Sequence, residues 1–87
     1  MRFDVQVEVR LRSGVADPQG QTIEASLPHL GFVGVSDVRV GKSIRFTVDS
    51  PDDSRARAAV EDMCARFLTN PVIEDSEVRI TQATTVG

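Results

Sequence analysis

With 87 residues, 40% of them hydrophobic and 26% charged, the chain has room for one domain and one modest core, and little depth for a private active site. Ten basic residues against thirteen acidic ones give a net charge of -3, so no chain-wide positive field draws it to nucleic acid or to anionic lipid. No apolar run nears the roughly 18 residues that span a bilayer, the N-terminal MRFDVQ lacks the apolar core of a signal peptide, and a single cysteine excludes an intramolecular disulfide and a multi-thiolate metal site.

The first element is written with period two. Phe3, Val5, Val7, Val9 and Leu11 alternate with Arg2, Asp4, Gln6, Glu8, Arg10 and Arg12, which predicts a long strand with one packed and one polar face. Asp17-Pro18 then opens a helix, the carboxylate accepting from exposed N–H groups and proline sitting where no donor is needed. That helix is expected over about 18–27, with Ile23, Leu27 and Leu30 toward the sheet and Pro28 bending or ending it.

Residues 33–40 carry Val33, Val35, Val38 and Val40 with a phase shift at Ser36-Asp37, and predict a second strand with a bulge near Asp37. Residues 43–49 alternate Ile44, Phe46 and Val48 with Arg45 and Thr47, and predict a third. Gly41-Lys42 would then be the tip of a tight hairpin, with Gly41 at positive φ. The string Gly41-Lys42-Ser43 also ends a phosphate-binding loop, G-x-x-x-x-G-K-[ST]. Here Ser36 stands where the first glycine belongs and a strand follows instead of a helix, so that reading fails.

Ser50 is expected to cap the second helix, with Pro51 first and Asp53 in the capping-box position. Ala56, Val60, Met63, Cys64, Phe67 and Leu68 form its apolar stripe. Asn70-Pro71 stops it, asparagine taking a left-handed conformation. Val72 to Asp75 is read as a connector, Glu77 to Thr81 as the last strand, and 82–87 as a loose tail. The order β-α-β-β-α-β over a single domain, residues 1–81, predicts an α+β two-layer sandwich of ferredoxin-like type: an antiparallel sheet with two helices on one face.

Catalytic groups are scarce. One histidine, His29, one cysteine, Cys64, and no tyrosine or tryptophan leave no nucleophile with a base and an orienting partner. Cys64 on the apolar stripe reads as core and His29 as surface. No catalytic and no metal-ligating residue is expected. An RNA-recognition reading fails because Phe46 is the one aromatic of the two central runs and points inward. A stand-alone small-molecule regulatory module passes these tests.

Taken in order, Asp17-Pro18-Gln19-Gly20, Val35-x-Asp37-Val38-Arg39-Val40-Gly41-Lys42, Met63-Cys64 and Asn70-Pro71-Val72-Ile73-Glu74-Asp75 resemble the PurS family, the small subunit of phosphoribosylformylglycinamidine synthase. The resemblance covers about residues 1–80, and Pro28 departs from it. It implies a non-catalytic subunit of an ATP-dependent ligase of the amidotransferase kind in purine biosynthesis. That enzyme converts formylglycinamide ribonucleotide, glutamine and ATP to formylglycinamidine ribonucleotide. It further implies a dimer or tetramer of this chain and partnership with a large synthetase subunit, PurL, and a glutaminase subunit, PurQ. It implies assembly of these two and passage of ammonia between them. ATP and Mg belong to the complex and no cofactor to this chain alone; the compartment is the cytoplasm. Contact residues are expected at Asp17, Pro18, Gln19, Gly20, Arg39, Gly41, Lys42, Asn70, Glu74 and Asp75. Charge reversal at Arg39 or Lys42 is expected to weaken assembly and leave the fold intact.

Overall fold

The computed structural model describes residues 1–83, and the part of the expected tail from residue 84 onward lies outside them. The chain runs β1 (Arg2–Leu11), α1 (Pro18–Ser26), β2 (Gly41–Asp49), α2 (Asp53–Met63) and β3 (Glu74–Gln82). The strands form one antiparallel sheet in the order β2-β1-β3. The α+β class and the antiparallel sheet are as the sequence predicts.

β1 is central because its alternation is the longest. It pairs with β2 from Arg2↔Asp49 to Arg10↔Gly41 and with β3 from Phe3↔Gln82 to Leu11↔Glu74. Its inward residues Phe3, Val5, Val7 and Val9 are at most 3% exposed. Each such burial is worth roughly 1.5–3 kcal/mol before entropy is charged against it. Ala56, Val60 and Cys64 of α2 and the turn after it close over this face, and Ile44, Phe46, Val48, Leu68, Val78 and Ile80 pack around the cluster. Cys64 is a core residue, as read.

The strand expected over 33–40 does not form. Both flanks of β1 are occupied along its whole length, and the segment does not pair with the outer edge of β2, its expected hairpin partner. Gly34 and Asp37 adopt φ of 81° and 57°, which breaks an extended run. Two of its amides are taken by carboxylates: Val38 N donates to Glu24 Oε1 at 2.9 Å and Val40 N to Asp17 Oδ2 at 2.7 Å. The hairpin therefore disappears. Gly41 is the first residue of β2 and lacks positive φ; its need is closeness, since a Cβ there would stand 2.6 Å from the Val9 carbonyl oxygen.

The helices also differ from expectation in detail. At Pro28 the missing N–H tightens α1 into a 3-10 turn, Leu27–Leu30, closed by Gly31 at φ 91°. α1 contributes no side chain to the core cluster, and Ile23 is 44% and Leu30 70% exposed. The cap of α2 is Asp52, not Ser50: its carboxylate accepts from Arg55 N at 2.8 Å, while Ser50 N finishes the β1–β2 ladder on Met1 O at 2.9 Å. Past Met63 the helix widens into a π turn, Cys64–Leu68. That change of phase throws Phe67 outward, 86% exposed, and keeps Leu68 on the core.

Asn70 takes no left-handed conformation. Its side-chain oxygen accepts from Val72 N at 3.2 Å, and its carbonyl from Ile73 N and Glu74 N, at 3.1 and 2.8 Å. This turn lets β3 start at Glu74, earlier than the expected Glu77. The result is a flat, open body of 51 × 34 × 15 Å with a radius of gyration of 17.1 Å. A compact chain of this length would have about 12 Å.

Candidate functional site

The three segments singled out in the sequence, Asp17–Gly20, Arg39–Lys42 and Asn70–Asp75, are distant in the chain, and the fold brings parts of each to one end of the sheet. β1 ends at Leu11, β2 begins at Gly41 and β3 at Glu74, all on the same edge of the pairing register. A shallow hollow of about 360 Å³ opens there, and its walls include Asp17, Pro18, Gln19, Gly41, Lys42 and Glu74.

Asp17 organises this end. It is 4% exposed; Oδ1 accepts from Gly20 N at 2.9 Å and Oδ2 from Val40 N at 2.7 Å, with the Arg39 guanidinium 4.0 Å away. The Gly20 and Val40 amides, in that order, hold its carboxyl below the usual value of 3.8 against the opposing push of burial; Arg39 adds to the lowering. The carboxylate thus caps α1 and ties the incoming β2 strand to it.

Gly20 has a packing reason that its helical position hides. A Cβ there would lie 2.3 Å from the Val38 carbonyl oxygen, so only glycine lets residues 38–40 cross α1 so closely. Glu24 supplies the second tie, through Val38 N. The sequence reading missed Glu24 and Arg12; a charged residue on a short helix gives no local sign that its acceptor serves a backbone fourteen positions on.

Arg39, expected to present charge outward, is 45% exposed and also serves as a brace. Its Nη2 donates to Val15 O at 3.0 Å and to Arg12 O at 3.3 Å. Arg12 is in turn the junction with the third segment: its N donates to Ile73 O at 2.8 Å and its Nε lies 3.4 Å from Asp75 Oδ1. Reversal at Arg39 would therefore disturb the fold, contrary to the sequence-based expectation. Lys42 is exposed and joins no ion pair among the described residues. Glu74 Oε1 accepts from Asn70 N at 2.7 Å, so Glu74 and Asn70 are occupied in their own turn.

The arrangement can hold three chain segments in fixed relation and display Gln19, Lys42 and the flank of Glu74. It contains no nucleophile beside a base, and among the described residues no cluster of three or more His, Cys, Asp or Glu is placed for a metal ion. No helix among them is long and apolar enough to cross a membrane.

The family model described as PurS, phosphoribosylformylglycinamidine (FGAM) synthase, matches residues 4–82. The chain is 39% identical over 79 residues to the FGAM synthase subunit PurS of Synechocystis, covering 91% of this chain and 79% of that one. Among solved structures it is similar to Methanocaldococcus jannaschii PurS, with a TM-score of 0.83 and 33% identity over 94% of this chain and 99% of that one. It also resembles a chain in the PurLQS structure from Thermotoga maritima, with a TM-score of 0.85 and 37% identity over 93% and 99% of the two chains. The fold that forms the hollow is thus held in common with these relatives, and the chain belongs to the PurS family of FGAM synthase subunits.

Proposed function

We propose that the chain is the small, non-catalytic subunit of an FGAM synthase complex in purine biosynthesis, docking with a PurL-type synthetase and a PurQ-type glutaminase. In that role it assembles the two and helps ammonia pass between them. The observation that carries this reading is the match over nearly the whole chain to a subunit of the PurLQS structure. The site agrees with it: three braced segments and a displayed lysine form a rigid contact surface and offer no chemistry of their own. ATP and Mg would be used by the complex and no cofactor held by this chain, and the cytoplasm is the compartment that this pathway implies.

Self-association belongs to the same proposal. The chain exposes 6353 Å², where a compact monomer of this size would expose about 5,000 Å². Ile23, Leu30, Phe32, Val33 and Val35 are each at least 44% exposed along α1 and the segment after it. Apolar surface gathered in this way marks a protein contact. The test is glutamine-dependent amination of formylglycinamide ribonucleotide by PurL and PurQ, with and without this chain, and with free ammonia as a control. We expect the glutamine-dependent rate to rise on its addition; an unchanged rate would overturn the proposal.

A further inference from the structure

The polar face of the sheet lies away from α2, and its middle carries opposite charges that do not meet. In the register Gln6 stands between Arg45 and Arg79, and one row along Asp4 stands between Thr47 and Thr81. Residues directly opposite in a strand pair share a face, and the inward residues of β1 are its odd ones, so all of these side chains point away from the core. They line an open hollow of about 750 Å³, within the range usual for small-molecule sites.

Ion pairs and hydrogen bonds leave this hollow with donors in one row and acceptors between the rows. Neither Arg45 nor Asp4 joins an ion pair among the described residues. Arg79 spends Nε and Nη2 on Glu77 Oε1, both at 3.3 Å, and keeps its Nη1 hydrogens as donors. Gln6 Nε2 donates to Glu8 Oε1 at 2.7 Å and to Ser43 Oγ at 3.2 Å, so this amide has spent its N–H groups and its Oε1 remains an acceptor. The arginine row and the Asp4 row are two residues apart along the strands, roughly 7 Å.

A ligand that satisfies both rows carries an anion and a cation close together. A carboxylate suits the arginine row, because a guanidinium fork matches its two oxygens. A phosphate dianion suits it less, since Asp4 and Glu8 flank that row on either side and would oppose it as like charges. An ammonium beside the carboxylate meets Asp4 and Gln6 Oε1. Those two charges one carbon apart are the mark of an α-amino acid, and Thr47 and Thr81 add hydroxyls for a polar side chain. We propose that the hollow binds a free α-amino acid with a polar side chain, its carboxylate between Arg45 and Arg79 and its ammonium on Asp4 and Gln6 Oε1.

The test is an NMR titration of the isotope-labelled full chain with L-glutamine as the probe. We expect saturable shifts at the amides of Asp4, Gln6, Arg45 and Arg79. Arg45→Gln and Asp4→Asn should each raise the dissociation constant about tenfold or more, while resonances away from this face report an intact fold. Glutaramic acid lacks the ammonium and L-glutamine amide lacks the carboxylate charge, and each should bind about tenfold more weakly than L-glutamine. The absence of saturable shifts on this face would overturn the proposal. So would an affinity that both variants or both analogues leave unchanged, or inorganic phosphate binding here more tightly than L-glutamine. Such binding is independent of docking with the larger subunits, which the amination assay reads.

Discussion

Asp17 shows how much one carboxylate can decide. It caps α1, fixes Val40 and neighbours Arg39, and its folded carboxyl titrates below 3.8. A group whose folded value is depressed contributes stability above its unfolded value and loses it as pH falls through the folded one. Asp17→Asn should therefore lower the thermal midpoint by a constant amount from about pH 6 down to about pH 4, and the gap to wild type should close below that. A gap independent of pH would mean that packing, not charge, is what Asp17 supplies. Gly20→Ala tests the neighbouring close approach. With only 2.3 Å to the Val38 oxygen, the added methyl must push residues 38–40 away. Although alanine is the better helix former by about 1 kcal/mol, we expect a net loss of stability and faster hydrogen exchange at Val38 and Val40, read by NMR. The aspartate cap was legible because a cap is a local event. The glycine's purpose was not, because the atom it makes room for comes from a segment eighteen residues away in the chain.

Among the elements, β1 and α2 carry the core and α1 does not. Val60→Ala removes two methyl groups from a fully buried position and should cost about 2 kcal/mol in denaturant unfolding. Ile23→Ala on α1 should cost under about 0.5 kcal/mol at concentrations where the chain is monomeric, because Ile23 is 44% exposed there. Equal losses at both positions would place α1 on the sheet after all. Periodicity revealed β1, β2 and α2 because each buries a whole face, and the pattern of a face is written in its own residues. It failed at 33–40, where four valines at roughly strand spacing are interrupted by positive φ at Gly34 and Asp37 and by carboxylates that take the amides of Val38 and Val40. It failed again at Phe67, where a π turn alters the phase of an otherwise regular stripe.

The whole molecule is an open plate with a displayed lysine at one end and two sheet edges. Lys42→Glu should leave the thermal midpoint of the isolated chain unchanged, since Lys42 braces nothing, and weaken its binding to the PurL–PurQ pair about tenfold, measured by titration calorimetry. Wild-type affinity would remove Lys42 from the contact surface. Arg39→Glu should behave oppositely: its bonds to Arg12 O and Val15 O are internal, so the fold itself should weaken. The two residues look alike in the sequence, three positions apart and equally charged. Only the surroundings separate a brace from a displayed charge.

By itself the sequence determined the α+β class, the central strand, the core helix and the family resemblance. Each of these depends on local pattern, on composition or on short motifs in order. Tertiary structure alone decided that residues 33–40 form a strap and not a strand, that Gly41 serves close packing, that Arg39 bonds the carbonyls of Arg12 and Val15, and that one end of the sheet gathers Asp17, Lys42 and Glu74. Those outcomes depend on which backbone groups are already occupied when distant segments meet, and no single segment carries that information.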